Sequence, residues 1–123
     1  MTMQYRELVK KVQIYSGFSD QESETALRTF ASKLGARLTP QERKQFASEL
    51  PSDLKAVVLQ AAAGEKFGAE EFVRYVCDAN GIDEAHAKKQ IHAAWRAIKD
   101  AISPGEIRHI KAQLPKDLDA MLH

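Results

Sequence analysis

Glu106-Ile107-Arg108-His109 places a carboxylate and an imidazole three positions apart, the spacing that sets two metal ligands on one helix face in carboxylate-bridged di-iron bundles. Such a site needs a second copy of the motif and further inward carboxylates. The stretch 64 positions earlier, Glu42-Arg43-Lys44-Gln45, keeps the carboxylate and has no histidine. Glu106 also stands where a helix-capping carboxylate is expected, so this reading assigns no metal ligand and no cofactor. His86 and His92, six residues apart, would point about 240° apart on a helix and cannot chelate one ion. His123 is terminal. Cys77, with Arg74 as its neighbouring cation, has no histidine at a spacing that suggests a shared face, so no catalytic nucleophile is assigned. Gly35, Gly64, Gly68 and Gly105 are isolated, and none follows a strand pattern, which excludes a standard phosphate loop.

One surface pattern is asymmetric. Lys88, His92, Arg96 and Lys99 fall within about 80° of arc on one helix face, with Trp95 beside them at the edge of the apolar side. The positions 64 earlier, Glu24, Arg28, Ser32 and Gly35, are not a basic row. Such a stripe could contact phosphates or an acidic partner. Long cationic side chains also simply solvate an outer face, and a net charge of +1 gives binding to a polyanion no long-range attraction.

The elements that would carry these residues follow from composition and periodicity. A chain of 123 residues, 44% hydrophobic and 28% charged, is sized and composed as one soluble globular domain. A single cysteine excludes an intramolecular disulfide framework and fits a reducing compartment. Charges within Met1-Thr2-Met3-Gln4-Tyr5-Arg6-Glu7 stand where an export signal needs apolar residues, and no apolar run reaches the ~18 residues of a spanning helix. A cytoplasmic protein without membrane contact is expected.

Tyr5, Leu8, Val9, Val12 and Tyr15 follow one helix face, closed near Gly17. Ser19 and Glu22 form a capping-box pattern before a second helix burying Ala26, Leu27, Phe30, Leu34 and Leu38. Thr39-Pro40-Gln41-Glu42 repeats that box for a third helix with Phe46, Ala47 and Leu50, and Pro51 opens a fourth with Leu54, Val57 and Val58. The pattern then restarts. Ala69, Phe72, Val73, Val76 and Ala79 stand 64 positions after the first stripe. A long helix with Ala87, Ile91, Ala94, Trp95, Ile98 and Ile102 follows, then Ser103-Pro104-Gly105-Glu106 and Leu114-Pro115-Lys116-Asp117-Leu118. In this second half His86 replaces the capping Glu22.

Identities at the ungapped offset include Val9/Val73, Gly17/Gly81, Glu42/Glu106, Pro51/Pro115 and Asp53/Asp117. The pattern predicts an all-α bundle of about eight helices, built from two tandem four-helix repeats related by pseudo-twofold symmetry. The halves are residues 1–63 and 69–123, joined by a packed linker at 64–68 that contains Phe67. An open two-unit solenoid is the alternative.

The Gly-hydrophobic-acidic/Ser turn, the [Ser/Thr]-Pro-x-Glu start and the Leu-Pro-x-Asp-Leu end, each used twice, resemble the bacterial domain of unknown function family 2267 over nearly the whole chain. The resemblance implies a small all-α bacterial domain with two related halves, and brings no activity or catalytic residue. Gly68 departs from it, standing where such domains often place a hydroxyl cap. The functional expectation is a non-enzymatic interaction or accessory module with a protein partner or with itself. Nucleic-acid or anionic-ligand binding through Lys88, His92, Arg96 and Lys99 is the alternative, and a metal-binding enzyme is the third reading.

Overall fold

The computed structural model describes residues 3–122, which leaves Met1, Thr2 and His123 outside the described residues. Eight helices follow one another: α1 (Tyr5–Ser16), α2 (Asp20–Arg37), α3 (Pro40–Ser48), α4 (Ser52–Gln60), α5 (Ala69–Asn80), α6 (Glu84–Ala101), α7 (Pro104–Ala112) and α8 (Lys116–Leu122). No strand occurs among the described residues, and the fold is an all-α bundle. The bounds of α5, α6 and α7 are those of α1, α2 and α3 displaced by 64 positions.

Punctuation explains the bounds. Gly17 ends α1 at φ 80° and Gly81 ends α5 at φ 65°, a left-handed geometry that lets their amides donate to the carbonyls of Gln13 and Cys77. The side chains of Ser19, Thr39, Asp83 and Ser103 accept from backbone amides of the first turns of α2, α3, α6 and α7. Pro40 and Pro104 occupy first-turn positions, where the missing N–H has no helical partner to lose. At α5 the absent hydroxyl at Gly68 is replaced from another element: Asp117, in α8, accepts from the Ala69 amide at 2.9 Å. A Cβ on Gly68 would lie 2.5 Å from that carboxylate, so the glycine makes room for the substitute cap.

The two 18-residue helices, α2 and α6, pack against one another at the centre. α1 lies on α6 and α5 lies on α2, so the first helix of each half covers the second helix of the other. Phe30 of α2 meets Phe72 of α5 at 5.5 Å and Trp95 of α6 at 6.1 Å between ring centroids. One continuous apolar core results, drawing on all eight helices. Ala79, placed on the buried stripe of α5 by periodicity, is exposed, because the packed face of that helix ends at Val76 with Cys77 beside it. α3 packs on α4 and on α7.

Residues 61–68 contain no helix and are fastened to the end of α2. The Gly64 and Glu65 amides donate to the carbonyls of Leu38 and Ala36, Arg37 donates to the Phe67 carbonyl, and the Lys33 ammonium sits 4.2 Å over the Phe67 ring. Phe67 itself is buried against Phe72.

At Gly17 and Gly81 an added Cβ meets nothing within 4 Å, so a substitution there acts through backbone strain alone. Gly17→Ala and Gly81→Ala are each expected to lower unfolding free energy by about 1 kcal/mol, the cost of holding an L-residue in the left-handed region. Urea denaturation checks this: the midpoint falls with the slope unchanged, whereas an unmoved midpoint contradicts the capping role.

Candidate functional site

The residues with the most unusual surroundings are the two equivalent glutamates of the Pro-x-Glu starts. In a capping box the glutamate at the third helical position reaches back to the amide of the cap residue. At α3 and α7 that amide is taken by a residue from the opposite half. Thr39 N–H donates to Gln113 Oε1 at 3.1 Å, and Ser103 N–H donates to Glu49 Oε1 at 2.6 Å. Glu49 and Gln113 are themselves 64 positions apart, so the exchange is reciprocal. The expected capping role of Glu106 is therefore corrected: its amide is capped by Ser103, but its carboxylate is free of the cap. The same holds for Glu42, whose amide donates to the Thr39 hydroxyl.

Both carboxylates turn inward and face each other. An oxygen of Glu42, an oxygen of Glu106 and a ring nitrogen of His109 all lie within 4.8 Å of one another. Glu106 is only 3% exposed, and its Oε1 lies 3.8 Å from Nδ1 of the exposed His109. Oε2 of Glu42 and Oε2 of Glu106 are buried and receive no hydrogen bond. None of the ion pairs among the described residues brings a lysine or arginine to either glutamate. Burial, a hydrogen bond shared with the Glu42 carboxyl and the negative charges of Glu42 and Glu49 push the Glu106 pKa up to about 8. Two facing carboxylates in a site without a cation cannot both ionise freely, and one keeps a proton.

The sequence pointed to Glu106 and His109 and set them aside because the first half lacks the histidine. A third group nonetheless joins them from the first half, Glu42. The available signal was the 64-residue offset in the sequence: positions that match across it can meet once the helices pack. They do so again at Glu22 and His86, 64 positions apart, whose side chains bond to one another. Glu22 thereby loses its expected reciprocal capping role too. Gln90, buried in α6, donates to Glu22 at 3.0 Å and accepts from Asn80 at 2.7 Å. Burial pushes the Glu22 carboxyl up, but the bonds from Gln90 and His86 and the histidine charge outweigh it and hold the pKa below the ordinary value.

The basic stripe of α6 is largely engaged within the fold. Lys88 pairs with Glu84 at 3.2 Å, His92 donates to the Met121 carbonyl at 2.6 Å, Arg96 lies 4.2 Å over the Tyr15 ring, and Lys99 lies 5.7 Å over Trp95. Trp95 is buried against Phe30, so it offers no surface platform for a base. His92 and Arg96 do line a shallow groove of about 310 Å³ with Tyr15 and Lys89. His86 and His92 have separate partners and share no site. Cys77 is half-buried beside Arg74, which pairs with Glu70.

A larger groove of about 520 Å³ opens between α5, α6 and α8. Ala69, Val73, Cys77 and Met121 form its apolar part, and Glu70, Arg74, Glu84 and Lys88 line it with charge. The rim charges pair along their own helices, Arg74 with Glu70 and Lys88 with Glu84. At the equivalent place in the first half the pairs run between helices. Arg6 of α1 reaches Asp20 and Glu24 of α2, and Tyr5, where the second half has Ala69, donates to Glu24 at 2.7 Å.

The raised Glu106 pKa fixes the sign of a pH effect. A carboxyl that holds its proton more tightly folded than unfolded adds stability that is complete below about pH 4.3, the unfolded value, and is lost as pH rises through about 8. In EDTA-treated protein, the melting temperature of Glu106→Gln is expected to gain on the native protein steadily from pH 5 to 8. Parallel melting curves across that range would contradict the carboxyl pair.

No helix among the described residues is long and apolar enough to cross a membrane. No curated protein matches the chain. The model of the family described as "Uncharacterized conserved protein (DUF2267)" matches residues 5–121, nearly the whole chain, and the chain belongs to that family.

Proposed function

We propose that this chain is a non-enzymatic interaction module of the bacterial cytoplasm, and that it docks a protein partner in the groove between α5, α6 and α8. The observation that carries the reading is the difference between the halves. In the first half, Tyr5 and Arg6 tie α1 to α2. In the second, Ala69 shortens the side chain and the charges pair within each helix, leaving an apolar strip open between them. The chemistry suits an amphipathic helix whose apolar side chains enter the groove while charges of both signs meet Glu70, Arg74, Glu84 and Lys88. The lone cysteine supports a reducing compartment.

Anion binding through Lys88, His92, Arg96 and Lys99 has one supporting feature, the shallow groove at Tyr15, Lys89, His92 and Arg96. It is the weaker reading, because each stripe residue already has a partner in the fold.

The test uses the chain's own contrast between halves. A photo-crosslinker attached to Cys77, the sole cysteine, captures the occupant of the groove, and the purified occupant is then titrated against native protein and Ala69→Tyr. The tyrosine refills the groove as Tyr5 does its counterpart, and affinity is expected to fall at least tenfold with the melting temperature kept. Equal affinity of the two proteins refutes the groove as the docking surface. Salt-sensitive oligonucleotide binding abolished by Arg96→Glu with Lys99→Glu would favour the anion reading instead.

A further inference from the structure

We propose that Glu42, Glu106 and His109 bind one divalent transition-metal ion of the Zn²⁺ class, clasping α3 of the first half to α7 of the second. The inference is independent of the docking groove. It rests on three converging ligand groups and on a buried group left without a partner.

The donor set comes first. One oxygen from each glutamate and one histidine nitrogen lie within 4.8 Å of one another, and Glu106 Oε1 is 3.8 Å from His109 Nδ1. Ligands about 2.1 Å from a tetrahedral ion stand about 3.4 Å apart, so closing the set takes less than 1.5 Å of movement. His109 can supply it, since its side chain is 65% exposed. Glu106 cannot move far, and does not need to. Two carboxylates and an imidazole suit Zn²⁺, Mn²⁺ or Fe²⁺, whereas Ca²⁺ takes six to eight oxygens and Mg²⁺ an octahedral oxygen shell. Positions left open on the ion face the exposed histidine side, where water completes the shell.

The unpartnered group is the independent observation. Glu106 has a side chain 2% exposed, its Oε2 receives no hydrogen bond, and Oε2 of Glu42 is likewise buried and unbonded. A buried acceptor without a donor is costly, and a buried charge without a counter-charge more so. A divalent cation satisfies both orphan carboxylates at once. Glu49 stands nearby but is already committed to the amide and hydroxyl of Ser103, so it holds the α7 cap in place and leaves the ligand set at three.

The experiment is calorimetric titration of the untagged, EDTA-treated 123-residue chain with Zn²⁺ alone, followed by thermal melts with and without the ion. One ion per chain is expected, with a rise in melting temperature. Glu42→Gln, Glu106→Gln and His109→Ala are each expected to weaken binding at least tenfold, while His92→Ala binds as the native protein does. Co²⁺ in place of Zn²⁺ is expected to give visible absorption bands that His109→Ala changes. The proposal is overturned if no binding occurs below millimolar Zn²⁺, or if any of the three variants binds like the native protein. Loss in His92→Ala equal to that in His109→Ala identifies adventitious surface-histidine binding and also overturns it. Should Glu106→Gln fail to fold, Glu42→Gln and His109→Ala decide: loss in both supports the site, retention in either refutes it.

Discussion

The structure depends on the burial of α2 against α6. Each half is about 60 residues, a size at which a chain buries too little of its surface for secure stability on its own. The two long helices solve this by forming one core, with Phe30 touching Phe72 and Trp95 across the boundary between halves. Everything else is arranged around that contact. α1 and α5 cross over to cover the opposite long helix, and the short helices α3 and α7 are brought side by side. Once they are adjacent, the cap amide of each lies within reach of the other's last residues, and Gln113 and Glu49 take those bonds. The freed glutamates then have nowhere to turn but toward each other.

Much of this was legible in the residues. Apolar spacing, Gly17 and Gly81, the Ser/Thr/Asp caps and the two Pro-x-Glu starts placed eight helices with little ambiguity, because helix ends are local chemistry. What the sequence could not show was which partner each capping glutamate would choose. A capping box is a local expectation, and a nearer tertiary donor or acceptor overrides it. That happened at Glu22, Glu42 and Glu106, while Glu71 kept its bond to the Gly68 amide. Likewise the row Lys88, His92, Arg96 and Lys99 was visible from spacing, but its partners Tyr15 and Met121 come from distant helices. The metal-like spacing of Glu106 and His109 was readable; its third member, Glu42, is 64 positions away and needed the fold.

The two halves keep the same backbone plan and differ where α1 meets α2 and α5 meets α6. Tyr5 and Arg6 spend their polar atoms on contacts between helices, which closes that seam. Ala69 and Glu70 have no equivalent reach, and the seam stays open over Val73, Cys77 and Met121. Stability does not require the second arrangement, since the first shows how this fold fills the same space. An open apolar strip between two helices whose charges pair only along their own axes is therefore the feature a partner can use.

The packing of the first four helices against the last four sets some residues opposite those 64 positions away, and a charged residue at such a position can meet its like. At positions 22 and 86 the conflict is absent, because one residue is glutamate and the other histidine, and the two bond. Gln90 adds a third contact, and the carboxylate is held ionised. At positions 42 and 106 both residues are glutamate, and among the described residues no lysine or arginine pairs with them. A proton shared between the two carboxyls relieves the repulsion by removing one of the charges. A divalent cation relieves both, and His109 supplies the neutral ligand that two carboxylates lack. His109, which has glutamine at the position 64 earlier, thus stands beside two glutamates that lack a lysine or arginine partner among the described residues.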